Sequence, residues 1–196
     1  MKVLALVASP RQGGNVDQLV DGVLAGARDG GAAVEKVNLC HLNLKRCTAC
    51  MRCRTTHACH LVDDLDGLFH KIVAADAVVV GAPLYWSNIP SQLMAVHERL
   101  TGYVEDFASP RQLPKRRLPR GKKVVFLTSC SAPFPFSALL GMTGGVFRAM
   151  GVFWRVAGFK VVGRLAETGT WHPGPPAPRK LAQARRLGQR LVGVRA

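Results

Sequence analysis

The stretch "VLALVASPRQGGN", Val3 to Asn15, decides the fold. It opens with a continuous, β-branched-rich apolar run and then breaks into Pro10, Arg11 and the Gly13-Gly14 pair. From Asn15 onward apolar residues recur at helical spacing, as Leu19, Val20, Val23 and Leu24. Such a run suits a strand buried on both faces of a parallel sheet, and the segment after it reads as an amphipathic helix that Asn15 can cap, with Gln18 three residues on. The run is short, quickly broken and without a small-residue cleavage pattern, so it reads as a strand rather than a secretory leader. No other apolar run approaches the length that spans a bilayer. The chain is therefore expected in the cytoplasm, where clustered thiols stay reduced and point to metal or redox chemistry rather than to disulfides.

Two further runs repeat the strand pattern, "AVVVGAP" (Ala77 to Pro83) and "KVVFLTS" (Lys123 to Ser129). "AAVEKVNL" (Ala32 to Leu39) is a more polar strand that fits a sheet edge, and a fifth is expected within "VFWRVAGFKVV" (Val152 to Val162). Helices are expected after Asp63 or Asp64, from near Asn88 with Pro90 in the first turn, over Met142 to Met150, and over Arg179 to Val192. Alternating strands and helices imply an α/β sandwich with right-handed crossovers. Five strands fit the flavodoxin-like order 2-1-3-4-5 on a doubly wound parallel sheet. At 196 residues the chain is expected to be one domain spanning residues 1–196, large enough to need no covalent staples.

The formal charge is +15. Its densest stretch, "RQLPKRRLPRGKK" (Arg111 to Lys123), carries two prolines and no aromatic residue for base stacking, which suits a solvated loop. A nucleic-acid partner is therefore not expected, and a basic surface can equally gather anionic small molecules.

In a doubly wound sheet the loops at the carboxyl ends of the strands form the ligand crevice. The first, "ASPRQGGN", offers Ser9 and Asn15 as neutral donors, Arg11 as a planar cation and Gly13-Gly14 for close backbone approach at a helix N-terminus. That combination suits a phosphomonoester. It is neither the G-x-G-x-x-G of a dinucleotide fold nor a Walker loop, and an ordinary Pro-Gly turn is the competing reading. The second loop, "GAPLYWSN", places Pro83, Leu84, Tyr85 and Trp86 where a flat ring can rest. The third, "TSCSAPFP", supplies small donors, and its Cys130 reads as a small buried apolar residue.

Taken together, "SPRQGGN", "CTACMRCRTTHACHLVDD" and "GAPLYWSNIPSQLMAVHER" resemble, in order, the phosphate loop, cysteine insert and aromatic segment of the NADPH-dependent FMN reductase family, and within it the iron-sulfur flavoproteins. The resemblance covers most of residues 1 to 165. It implies that Ser9, Arg11, Gly14 and Asn15 hold the FMN phosphate and that Pro83, Leu84, Tyr85 and Trp86 border the ribityl chain and isoalloxazine. Ser129 and Ser131 fall where the family's third loop borders the flavin. Val16, Met94 and Glu98 depart from the family pattern, which usually has Thr or Ser, Lys and Asp there. The resemblance also implies NAD(P)H as reductant and a homodimer or homotetramer.

The insert, at about 45–62, spaces Cys47, Cys50, Cys53 and Cys59 as C-x2-C-x2-C-x5-C. A [4Fe-4S] cluster takes four thiolates, and ferredoxins use a comparable C-x2-C-x2-C run. Here the fourth cysteine comes two residues later than in ferredoxins and is followed by His60, the compact pattern of iron-sulfur flavoproteins. Lys45, Arg46, Arg52 and Arg54 surround the thiols, a field expected to lower thiol pKa and offset a cluster's charge. Zinc, with His57 or His60 in a mixed site, and a pattern kept without any cluster both stay open.

FMN carries its own chemistry, so no catalytic side chain is expected. The expected activity is NAD(P)H-dependent reduction of a quinone, azo compound, flavin or similar acceptor. The alternative is a non-enzymatic electron carrier reduced by a ferredoxin-like partner. A zinc-binding nucleic-acid protein is the third hypothesis, and it predicts a colourless preparation.

Overall fold

The computed structural model describes residues 1–106, 115–172 and 174–194. In chain order the elements are β1 (Lys2–Val7), α1 (Asn15–Asp29), β2 (Ala33–Asn38), a 3-10 turn (Leu39–His41), α2 (Cys53–Thr56), α3 (Leu65–Ala74), β3 (Ala77–Pro83), α4 (Ser91–Val104), β4 (Glu105–Asp106), β5 (Lys115–Arg116), β6 (Lys123–Cys130), α5 (Phe136–Leu139), α6 (Met142–Val156), β7 (Lys160–Thr168) and α7 (Pro178–Leu191). Five strands form one parallel sheet in the order β2-β1-β3-β6-β7, which is 2-1-3-4-5 among the sheet strands. The fold is the expected flavodoxin-like one. β4 and β5 make a separate antiparallel ribbon.

The central strands are buried along nearly their whole length, as their continuous apolar runs require. One face of the sheet packs on α1 and α7 through Val20, Val23, Leu24 and Ala184. The other packs on α3, α4 and α6 through Leu68, Leu93, Val96, Met150 and Trp154. Edge strand β2 is half-exposed, in keeping with its polar sequence.

Three local expectations are corrected. The fifth strand starts at Lys160, so only the last three residues of "VFWRVAGFKVV" lie in it, and the first five belong to α6. Val146, Met150 and Trp154, one turn apart, are all fully buried and carry the helix through the aromatic run until Gly158, at φ 96°, turns the chain. The strand itself, with Gly163, Arg164 and Glu167, lacks the apolar signal of a central strand because it lies at the edge. The cap of α1 is Gly14 rather than Asn15, and Gln18 donates to the Gly13 carbonyl instead of closing a capping box. Pro90 precedes α4 as its cap.

Of the basic stretch, Arg111 to Pro114 lie outside the described residues. No helix among the described residues is long and apolar enough to cross a membrane.

Candidate functional site

The parallel register brings the ends of β1, β3 and β6 side by side, with Val7 opposite Gly81 and Pro83 opposite Ser129. Backbone bonds extend the pairing into the loops: Ala8 N donates to Gly81 O at 2.8 Å, and Leu84 N to Ser129 O at 3.0 Å. Ser9, Pro83, Leu84 and Ser129 are thus held along one sheet edge by main chain, whatever their side chains.

In the first loop Ser9 is buried, and its Oγ accepts from Arg11 N at 3.3 Å. Asn38 Nδ2 holds the Ser9 carbonyl at 3.2 Å. Gly13, at φ 66°, makes the turn that a side chain would strain. The two glycine amides are not free for an anion, contrary to expectation: Gly13 N donates to Asp17 Oδ2 at 2.8 Å and Gly14 N to Arg11 O at 3.3 Å. The amides that α1 leaves without a carbonyl one turn back begin at Asn15 itself. Asn15 Oδ1 is buried with no hydrogen-bond partner. A half-turn of the amide presents NH2 in its place, so an oxygen-rich group beside it, with the exposed Arg11, would fill the shortfall. The donor set fits a phosphate group.

The second loop is a tight turn in which Tyr85 and Asn88 exchange both backbone bonds, at 3.1 and 2.8 Å. Its two central residues, Trp86 (φ 51°) and Ser87 (φ 60°), occupy the left-handed region without being glycine. Trp86 is 99% exposed, so no packing explains its strained position. The first turn of α6 holds the loop in place, because a Cβ on Gly145 would lie 2.4 Å from the Ser87 carbonyl. Around this edge Phe134, Phe136, Leu139 and Leu140 are exposed on the segment after β6, and Trp171 on the one after β7. In the third loop Ser131 is exposed and Cys130 buried.

α4 runs from the aromatic turn to the cysteine insert. The neck of the insert is closed by side chains: Asn43 N donates to Asp64 Oδ2 (2.7 Å), Lys45 N to Asp63 Oδ2 (2.8 Å) and Leu65 N to Asp63 Oδ1 (3.1 Å). Arg99 of α4 and Asp63 form a fully buried ion pair. Burial alone would push the Asp63 carboxyl up, but the bonds from Arg99, Lys45 and Leu65 outweigh it and hold the group below the usual carboxylate range.

All four insert cysteines are free and line one cavity of about 440 Å³, with His60, Glu98, Arg99 and Thr101. Gly102 makes the seat for Cys53: a Cβ there would lie 2.4 Å from Cys53 Cβ and 3.0 Å from its Sγ. Among the described residues no three side chains close around a single metal ion. Four free thiols on one cavity are the ligand number a [4Fe-4S] cluster takes. Cys50 Sγ lies 3.3 Å from His60 Nδ1. The cationic field does not lower Cys53, contrary to expectation: burial, and then the neighbouring Cys59, Cys50 and Cys47, push its thiol up. A second cavity, of about 520 Å³, runs from Ser91 and Gln92 at the start of α4 to Arg46 and Cys47, so Cys47 and Glu98 border both.

Reading the sequence missed Arg99, Gly102 and Asp63 as organisers of the insert. The signal for Arg99 was a cation in the third turn of the helix, beside the apolar Val96 and Leu100.

The chain spans about half the length of the curated relatives it matches. It is 34% identical over 99 residues to an iron-sulfur flavoprotein of Methanosarcina thermophila, covering 50% of this chain and 52% of that one. It is 31% identical over 103 residues to an iron-sulfur flavoprotein of Archaeoglobus fulgidus, covering 53% and 47%. Among solved structures, the fold matches an NAD(P)H:quinone oxidoreductase of Methanothermobacter marburgensis with a TM-score of 0.77 at 21% identity, over 97% of this chain and 98% of that one. An FMN-dependent NADH-azoreductase of Bacillus anthracis in complex with FMN matches with a TM-score of 0.71 at 13% identity, over 97% of each chain. Residues 1–153 match the model of the NADPH-dependent FMN reductases. With the flavodoxin-like sheet and its three adjoining crevice loops, this match shows that the chain belongs to the NADPH-dependent FMN reductase family.

Proposed function

We propose that the chain is an FMN-dependent NAD(P)H oxidoreductase acting on a quinone, azo compound, flavin or similar acceptor, with a [4Fe-4S] cluster as a further electron outlet. FMN, when bound, takes up hydride from the nicotinamide and delivers electrons singly or in pairs. Ser9, Arg11 and Asn15 hold its phosphate, with the orphaned Asn15 amide given the partner it lacks, while Gly14, its amide already bonded to the Arg11 carbonyl, gives the phosphate room rather than a donor. Pro83, Leu84, Tyr85 and Trp86 flank the ring, and Ser129 and Ser131 border it from the third loop. Cys47, Cys50, Cys53 and Cys59 hold the cluster. The observation that carries the reading is one helix, α4, with the aromatic turn before its first residue and a cavity lined by four free thiols beside its last turns.

The exposed Trp86, Phe136, Leu139 and Leu140 support a homodimer or homotetramer that covers this edge. A second reading is favoured by the exposure of Cys47 and Cys50 beside Lys45, Arg46, Arg52 and Arg54. In that reading the protein is an electron carrier reduced by an acidic, ferredoxin-like partner.

Anaerobic purification with an absorption spectrum, flavin extraction and iron and sulfide assay tests the proposal. Stoichiometric FMN, about four irons per chain and rapid bleaching by NAD(P)H alone are expected. Flavin without iron would remove the cluster, and reduction only by a protein donor would favour the carrier. A preparation with no flavin would overturn both.

A further inference from the structure

The side chain that organises the insert is not one of its cysteines. Arg99 is fully enclosed, and all five of its N–H donors are used. Nη1 donates to Lys45 O at 3.1 Å and to Asp63 Oδ2. Nη2 donates to Leu61 O at 3.2 Å and to Asp63 Oδ1 at 3.1 Å. Nε donates to Cys59 Sγ at 3.4 Å. Lys45 and Leu61 flank the cysteine run, one before Cys47 and one after Cys59, so a single rigid plane ties both ends of the insert to α4 and aims its last donor at a thiol.

A buried ion pair is weak evidence of stabilisation for its own sake, since a well-packed apolar residue of similar size serves as well or better. What an apolar residue cannot supply is a directed N–H to sulfur and a fixed positive charge beside it. We infer that Arg99 is a positioning residue for Cys59 and, resting on the cluster reading above, that the Arg99–Asp63 pair sets the reduction potential of the group Cys59 helps to hold. Adding one electron to a thiolate-held cluster makes it more negative by one charge, with no bond made or broken. Hydrogen bonds to its sulfurs and nearby cations favour the more negative form and raise the potential, whereas a nearby carboxylate lowers it. Arg99 and Asp63 therefore act in opposite directions.

The test uses the full chain, reconstituted anaerobically with FMN, iron and sulfide, and titrated with dithionite under electron paramagnetic resonance. Arg99→Lys keeps a positive charge opposite Asp63 but loses the planar fork that reaches Cys59, and it is expected to shift the potential downward and alter the resonance line shape. Asp63→Asn keeps Arg99 and its Nε–H to Cys59, gives up one of the two guanidinium bonds to residue 63 and removes the opposing charge, and it is expected to shift the potential upward. A side chain that only holds the loop shut would give iron loss or no shift in both variants, never shifts of opposite sign. Either variant decides alone if the other fails to fold or to load: no shift or an upward shift in Arg99→Lys, or no shift or a downward shift in Asp63→Asn, overturns the assignment. Wild-type protein that binds FMN but no iron overturns the cluster reading instead, which the iron assay identifies before any titration.

Discussion

The flavin crevice and the cysteine insert lie at the two ends of α4, and they are held by different kinds of force. The crevice loops are positioned by main-chain bonds between strand ends, such as Ala8 N to Gly81 O and Leu84 N to Ser129 O, which most side-chain changes leave intact. The insert has almost no regular structure, only the four-residue α2, and its non-glycine residues Ala49, Met51 and His57 sit at positive φ. It is held by Asp63, Asp64, Arg99 and the missing Cβ of Gly102. The difference teaches that one edge tolerates single substitutions while the other depends on a few irreplaceable side chains.

The sharpest way to break that comparison is Arg99→Met. It leaves the Asp63 carboxylate enclosed and unpaired and frees both ends of the insert, and is expected to destabilise the protein by about 3–5 kcal/mol in denaturant unfolding. Iron incorporation should be lost. If FMN affinity, measured by fluorescence quenching, falls along with it, the two ends of α4 are one cooperative unit and the comparison fails. Gly102→Ala is milder and more local. The added methyl meets Cys53 at 2.4 Å and its carbonyl oxygen at 2.8 Å, and overpacking of this kind costs about 1–3 kcal/mol. Iron content should fall while FMN affinity stays at the wild-type value.

The helix shared by both regions supplies a third test. His97 is buried on α4, stacked on Phe153 at 4.4 Å, and burial pulls its pKa down to about 3. The folded state thus keeps the ring neutral while the unfolded chain, with a value near 6.5, takes up a proton. Its contribution is fully present above about pH 6.5 and is lost as pH falls from there toward about 3. Between pH 7.5 and 5.5 the loss is about 1.4 kcal/mol. Urea unfolding at the two pH values should show that loss in the wild type and not in His97→Phe, which retains the stack. Equal slopes in both proteins would remove His97 from the acid response.

How much was legible in the sequence follows the same division. The order of strands and the three crevice loops could be read because buried parallel strands leave continuous apolar runs, and the loops follow from where those runs stop. Edge strand β7 was legible only in its first residues, Lys160–Val162, since Gly163, Arg164 and Glu167 carry no such run, and the helical burial of Val146, Met150 and Trp154 is visible only once aromatic β-propensity is overruled by spacing. That Cys47, Cys50, Cys53 and Cys59 come together was legible from their close spacing, and they line one cavity. The support of the insert was not, because Arg99 reaches Lys45 and Leu61 across 54 and 38 positions of sequence, and nothing local marks a buried cation as a clamp. The capping role read for Asn15 failed for a related reason: the cap falls one residue earlier, on Gly14, and leaves the Asn15 side chain without a capping bond.

That side chain gives the smallest effect and the most specific one. A buried amide oxygen without a partner penalises the ligand-free protein, and a phosphate or ribityl group beside it would remove the penalty on binding. Asn15→Ala therefore acts with opposite signs on two measurements. The ligand-free protein should unfold at the same or a higher urea concentration than the wild type, since the unsatisfied group is gone. FMN affinity should weaken by about 1 kcal/mol, roughly fivefold in Kd, because main-chain donors and Arg11 still hold the phosphate. Iron content should not change, as no part of the insert rests on Asn15. An Asn15→Ala protein that is destabilised without flavin and binds FMN with undiminished affinity would mean that the amide serves the fold alone, and the crevice would then depend on its side chains as strictly as the insert does.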